Sequence, residues 1–382
     1  MKLIVPDNND PLLFNVIKDL ITKKSRHEIW EIYWKPTKNK TMGSGRAKVF
    51  FDDLNEKETI ERVLRFKEMW IEYDYALNGI LPRARITENR EYIIEELKRL
   101  ESSPINKITV ANYELVKLAE KYAPNLAVAI SFFTGVDNIR NFDQRAQLPN
   151  VKEINTDVST YRNIPLLEKL VKRGKELWTD VRVIANLGCM ADCIRKEEHA
   201  IMKDMASINR ENLHYAPCTF FCMKYNLEHP EEILKMPLIR PEDLERYEEI
   251  GISAVKIVDR VQKSSWIEKV VWYYLDGKYD GNILDLTCTY TRIWLEEHTN
   301  EQVNAIDIDT VIASRENVLK YRDKLPELMN VSIDHDYNFL KCNNVCNYCN
   351  WCQDISAVKY DVKRRKKVLE QLNELERKYL FK

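Results

Sequence analysis

Two hydrophobic rhythms alternate through the first 260 residues. Short runs rich in Val, Ile, Leu and Tyr fall at Leu3–Pro6, Glu28–Trp34, Ile71–Asn78, Lys107–Asn112, Leu126–Phe133, Val151–Thr156, Val181–Asn186 and Ala254–Val258. Several are nearly continuous, the pattern of parallel strands covered on both faces. Between them, apolar residues recur at spacings of three and four over Pro11–Lys24, Leu54–Trp70, Asn89–Leu100, Tyr113–Tyr122, Ile164–Trp178 and Ser265–Leu275, which predicts amphipathic helices. The first of these opens on Asp10-Pro11, a cap residue followed by the proline favoured in a first helical turn. Eight strands with helical crossovers predict an α/β chain whose residues 1–286 form a (β/α)8 TIM-barrel-like domain. An open doubly wound sheet is the alternative, but no strand runs directly into a glycine-rich dinucleotide turn. From 287 to 382 the pattern changes. A strand pattern at Val303–Ile308, a cysteine run and a charged helix over Ser356–Leu380 predict a small C-terminal α+β cysteine-rich extension.

In such a barrel the chemistry sits at the C-terminal ends of the strands. The residues predicted there include Tyr33, Lys35, Asn78, Asn112, Thr134, Asp157, Asn186, Asp259 and Arg260. Asn78, Asn112, Asn186 and Arg260 are the catalytic candidates, offering amides and a guanidinium around a cavity; asparagine at a strand end also suits the turn itself. Gly43-Ser44-Gly45-Arg46 follows the second strand. Gly43 and Gly45 would expose backbone N–H groups and Arg46 a guanidinium to an anionic cofactor; the same run also reads as a flexible loop.

Composition narrows the classes. Hydrophobic residues make up 45% of 382 positions, enough for a large core, and Gly and Pro are few at 9 and 13. Lys plus Arg number 59 against 60 for Asp plus Glu, so the net charge of -1 gives no general pull toward nucleic acid or membrane. A start without a signal-peptide core and the lack of an 18-residue apolar run predict a cytoplasmic protein that does not enter a membrane. No G-x-S-x-G elbow and no H-E-x-x-H supports a standard peptidase.

The cysteines carry the sharpest signal. Of nine, eight fall into two clusters and Cys288 stands apart. Cys342, Cys346, Cys349 and Cys352 lie within eleven residues at C-x3-C-x2-C-x2-C spacing. Thiolates so close together call for a neutralising cation or for disulfides, and a disulfide framework is not expected in a chain without an export signal. A compact run of this kind resembles an iron–sulfur loop, with a closed tetrahedral zinc site as the alternative. Its first three cysteines also match the pattern of radical S-adenosylmethionine enzymes, though they follow the barrel rather than its first strand. Cys189, Cys193, Cys218 and Cys222 form two C-x3-C pairs just beyond the seventh strand, over the predicted barrel mouth. Buried free thiols packing as small hydrophobes are the alternative, but four together at one strand end point to a metal. His199 lies six residues beyond Cys193 and reads as structural.

The strand and loop Ala185–Cys193, the downstream Pro217-Cys218, and the segment Ile239–Leu244, Ile250-Gly251-Ile252 and Val255–Arg260 together resemble the collagenase-like peptidases, family U32. Asp259 stands where that family's block has glycine, and Gly43–Arg46 and Asn78-Gly79 are similar to one branch of it. The resemblance spans about residues 1–285, and the C-terminal cysteine run is similar to that of the same branch. It implies a barrel, a four-cysteine 4Fe-4S centre, one or two clusters in all, and for some relatives oxygen-independent hydroxylation of a quinone precursor or RNA bases, with prephenate as oxygen source. By position, Cys189, Cys193 and Cys218 match family ligands. The fourth is expected between Met236 and Glu245, where no cysteine stands, so Cys222 or a non-cysteine group takes that corner. The expected function is an iron–sulfur-dependent, oxygen-independent oxidoreductase or hydroxylase acting on a small molecule, RNA base or peptide, served by an electron donor or partner protein. A peptidase and a metal-stabilised binding or maturation protein are the alternatives.

Overall fold

The computed structural model describes residues 1–34, 54–77, 83–201, 222–258, 260, 262–287, 332–333, 338–342, 351–353, 358–359 and single positions between 362 and 373. Eight parallel strands close into a barrel: β1 (Lys2–Pro6), β2 (Glu28–Trp34), β3 (Glu72–Ala76), β4 (Lys107–Val110), β5 (Ala127–Ile130), β6 (Val151–Asn155), β7 (Asp180–Ile184) and β8 (Ala254–Lys256). Each pairs with the next, and β8 returns to β1 through Leu3 with Val255 and Ile4 with Lys256. All eight strands predicted from the hydrophobic runs are therefore present, and the open sheet is excluded.

Helices α1 (Leu13–Thr22), α2 (Glu56–Glu68), α3 (Arg83–Glu88), α4 (Arg90–Glu101), α5 (Tyr113–Tyr122), α6 (Ile139–Ala146) and α7 (Ile164–Leu177) connect the strands, and Ser264–Asp276 follows β8. Their starts are set by short polar side chains that satisfy exposed N–H groups. Asn55 and Glu58 form a reciprocal capping box on α2. Asn163 caps α7, with Pro165 in the first turn. That helix ends at Trp178, which takes left-handed φ of 57°. Gly174 lets α7 close onto β7, because a Cβ there would sit 2.4 Å from the Thr179 carbonyl oxygen.

The first helix starts later than Asp10-Pro11 predicts. The Asp10 carboxylate accepts the Leu12 N–H at 2.9 Å and also the Ser264 hydroxyl, while the Asp10 carbonyl accepts from Leu13 at 3.1 Å. Tied to the last helix, Asp10 leaves Pro11 and Leu12 in a turn, and α1 begins at Leu13. Helices α3 and α6 have no counterpart among the predicted segments. The sequence of α6, IRNFDQRA, buries only Phe142 and Ala146, too few apolar positions to show a period.

One hydrophobic cluster runs between strands and helices, including Leu3, Ile17, Phe66, Leu97, Leu115, Phe142 and Leu167, all fully buried. Phe339, Cys352 and Val358 of the C-terminal extension belong to the same cluster. In that extension β9 (Ser332–Ile333) pairs antiparallel with β10 (Val358–Lys359). Residues 358 and 359 are thus strand, where a helix from Ser356 was expected. Helical positions follow among the described residues from Val362 to Asn373. The pattern at Val303–Ile308 lies outside the described residues. Among those described, no helix is long and apolar enough to cross a membrane.

Candidate functional site

The barrel lumen is lined by charge. Lys107 of β4 donates to Glu31 of β2 and, at 3.1 Å, to Glu153 of β6. Arg182 of β7 donates to Glu31 at 3.0 and 3.2 Å and also to Glu153. Strands β2, β4, β6 and β7 include pairs that are not neighbours in the sheet, so these contacts form only across the interior. Nearer the mouth, Lys256 at the end of β8 lies 4.0 Å from Asp74 of β3, and its ammonium sits 3.6 Å above the Tyr33 ring centroid. Asp74 accepts the Thr109 hydroxyl at 2.6 Å. Glu31, Asp74 and Arg182 are at most 3% exposed, and Lys107 and Glu153 are also buried.

Three carboxylates, Glu31, Asp74 and Glu153, thus face three cations, Lys107, Arg182 and Lys256, so the ring is formally neutral. A buried charge is tolerable only with such pairing. Burial opposes ionisation of Glu31, but Arg182 and Lys107 outweigh it and hold its carboxyl below the ordinary value. Asp74 is raised, first by burial and then by Glu31. Burial likewise raises Glu153. Burial lowers Lys256, with Arg182 and Lys107 adding to the effect against Asp74 and Glu31. The carboxylate and ammonium nearest the mouth are therefore moved toward each other in acidity, as acid–base pairs at functional sites are.

The residues predicted at strand ends are placed variously. Asn186 is fully buried and clamps backbone: its amide donates to the carbonyls of Val258 and Leu286, the latter at 2.9 Å, and accepts from the Val258 N–H at 2.7 Å. Asn112 caps α5, accepting the Glu114 N–H at 3.0 Å. Arg260 is buried just beyond β8. Asp157 accepts the Ser159 N–H at 2.9 Å and pairs with Lys196. Asn78, Gly43, Gly45 and Arg46 lie outside the described residues, as do Lys35 and Asp259. Of the described candidates, Asn112 and Asn186 spend their side chains on backbone groups outside the charged ring.

The six charged lumen residues were not among the predicted site. Their signal was present in the strand sequences: EIWEIYW, EYDYA, VKEIN and DVRVI hold a charged residue inside the strand, and KITV and AVK carry one at a strand end.

Beyond β7 the chain passes Asn186 and enters the cysteine loop at the C-terminal end of the barrel. Cys189 is exposed, and Cys193 and Cys222 are half-buried. Cys342 and Cys352 of the second run are buried. Cys218, Cys346, Cys349 and Cys288 lie outside the described residues. No group of three or more Cys, His, Asp or Glu converges among the described residues, so the fit of a cluster is judged on donor chemistry and placement. Soft thiolate donors suit iron–sulfur or zinc, and the first pair sits at the catalytic end of a barrel. Segment 236–239, which holds part of the stretch expected to supply a fourth ligand, lies directly beside the strand end: the Ile239 N–H donates to Ala185 at 2.8 Å and Leu238 bridges Asn186. Cys189 and Cys193 thus offer the donor chemistry for one side of such a site, while segment 236–239, Met-Pro-Leu-Ile, brings no thiolate to it.

No family model matches the chain. The chain is 22% identical over 363 residues to an uncharacterized protease of Methanocaldococcus jannaschii, a similarity covering 92% of this chain and 96% of the relative. A solved structure of a U32 peptidase superposes with a TM-score of 0.45 at 13% identity, covering 68% of this chain and 92% of its own.

Proposed function

We propose that the chain is an enzyme working at the C-terminal mouth of its barrel, an iron–sulfur-dependent oxidoreductase that acts without dioxygen and hydroxylates a small molecule, an RNA base or a peptide. The observation that carries this reading is the run of β7 directly into the Cys189–Cys193 loop, with segment 236–239 laid alongside. Cys189, Cys193, Cys218 and Cys222 are the residues that would hold a 4Fe-4S cluster, which when bound supplies a one-electron and Lewis-acid centre. The chain's own contribution is positional. Asn186 fixes the ends of β7 and β8 and the turn at Leu286, so the cysteine loop leaves from a rigid base. Beneath it, the lumen ring presents a fixed polar floor with Lys256 and Asp74 uppermost. Cys342, Cys346, Cys349 and Cys352 would hold a second cluster passing electrons from a partner protein, or a structural zinc ion.

The test is anaerobic purification of the full chain with counting of iron, sulfide and zinc. About four irons and four sulfides per chain for one cubane, or about twice that for two, support the reading. Cys189→Ser and Cys193→Ser should each lose iron while keeping the wild-type circular dichroism spectrum. Zinc alone, or iron unmoved by both changes, would overturn it. The similarity to a protein named as a protease favours a second reading, peptide hydrolysis. Cleavage of a peptide library that survives both cysteine changes would select it.

A further inference from the structure

The pair at the top of the charged ring differs from the pairs below it. Lys107 and Arg182 contact Glu31 and Glu153 closely. Lys256 Nζ stands 4.0 Å from Asp74 Oδ2, too far for a hydrogen bond. Asp74 Oδ1 is buried and accepts no hydrogen bond, while Oδ2 is occupied by Thr109. Asn155 Oδ1 on β6 is likewise buried without a donor, although its amide nitrogen donates to Ile130 at 3.0 Å. The Lys256 side chain keeps 12% of its surface exposed, whereas Asp74 keeps 2%. One bridging oxygen would satisfy both this buried acceptor and an ammonium held beyond hydrogen-bond reach of the carboxylate.

We propose that Asp74 and Lys256 form a proton-transfer site that seats the hydroxyl of a neutral, hydroxyl-bearing ligand between them. The hydroxyl donates to Asp74 Oδ1 and accepts from the Lys256 ammonium. In the transfer step its O–H bond breaks, the proton passes to the Asp74 carboxylate, and the negative charge left on oxygen faces Lys256. No electrons move and no co-reactant is needed. Neutrality of the ligand follows from the ring: three carboxylates already balance three cations, so a charged group would arrive uncompensated in a buried setting. Burial, and then Glu31, raise Asp74, which makes its carboxylate a stronger acceptor for the hydroxyl proton. Tyr33 forms one wall by lying under the ammonium. The cysteines take no part, so this site stands or falls apart from the metal centre.

Two measurements on the full chain test it. In a crystal structure with ordered solvent, an oxygen should lie within about 3.2 Å of both Lys256 Nζ and Asp74 Oδ1. A glycerol soak should place a hydroxyl there, while an acetate soak should not displace it. Direct contact of the two side chains with nothing between, or acetate bound in preference to glycerol, would overturn the proposal. Competitive acetylation across pH, read by peptide mass spectrometry, should show Lys256 titrating below the surface lysines. The isosteric Asp74→Asn should move that midpoint lower still. A Lys256 midpoint among the surface lysines and unmoved by Asp74→Asn, or a Lys256 that never reacts, would also refute it.

Discussion

Replacing Glu31 by Gln removes one charge from the centre of the lumen ring while keeping the side chain's shape. Glu31 is fully buried and accepts from both Arg182 and Lys107. At an effective dielectric constant of about 20, a contact at the 3.0 Å seen with Arg182 corresponds to roughly 5 kcal/mol of attraction. The carboxylate's own dehydration on folding cancels several kcal/mol of the gross sum. What remains after the change is an excess of buried positive charge, for which breaking a buried pair costs about 3–5 kcal/mol. For a domain of this size that corresponds to a fall in Tm of roughly 6–20 °C. Urea unfolding at pH 7 and a thermal scan by circular dichroism read both quantities. Glu28→Gln, an exposed position on the same strand, is the control and should stay within about 0.5 kcal/mol of wild type. A Glu31→Gln protein within about 1 kcal/mol of wild type would falsify the view that the ring is a paired, dehydrated network. Adding Lys107→Met to Glu31→Gln should recover part of the loss, because the two sites share one interaction.

The remaining expectations concern the ring's upper pair, the packing of α7 and acid stability. Lys107→Met should cost about 2 kcal/mol more than Lys256→Met, since Lys107 has two close carboxylates and Lys256 has its nearest at 4.0 Å; equal costs in urea unfolding would argue that the two lysines play the same part. Gly174→Ala should destabilise by about 1–3 kcal/mol, because the new methyl meets the Thr179 carbonyl at 2.4 Å and backbone must shift; an unchanged urea midpoint would show that α7 can retreat freely. Glu96 is buried, yet hydrogen bonds from Arg99 and Tyr75 outweigh burial and hold its carboxyl below 4.5, as Arg182 and Lys107 do for Glu31. A lowered folded value means stability present above about pH 4.5 and lost as pH falls through that lower value. Glu96→Gln should flatten the fall in urea midpoint as pH drops below about 4.5, and profiles parallel to wild type would count against it.

The fold was legible because barrel strands have two buried faces and crossover helices one. Residues such as Ile108, Val128 and Val183 are apolar for the same reason, and their runs stand out from the threes and fours of α5 and α7. Helix boundaries were less legible where a side chain acts at long range. Asp10 carries the local signature of a cap, but its partner Ser264 lies 254 positions away. The site was legible only in part. Cysteine spacing is local, so the metal-binding pattern shows in one dimension. Charge complementarity in the lumen is not local, since Glu31 meets Arg182 across 151 residues. Read singly, each lumen residue is an anomaly within an apolar run, and only closure of the sheet supplies the partner. Asn186 shows the reverse case: a polar strand end that looks chemical in sequence but spends its amide on the backbone of Val258 and Leu286.

The distribution of the ring's charges along the chain bears on how the molecule assembles. Strands β1–β4 contribute Glu31, Asp74 and Lys107, a sum of -1, and strands β5–β8 contribute Glu153, Arg182 and Lys256, a sum of +1. Lys107 to Glu153, Arg182 to Glu31 and Lys256 to Asp74 all cross from one half to the other. A four-stranded half folded by itself would hold an unmatched charge against its concave face, and its complement would hold the opposite one. The two halves are thereby made mutually attractive and individually unfinished, so duplication, truncation or permutation at the β4–β5 junction carries an electrostatic penalty that only docking of the missing half relieves.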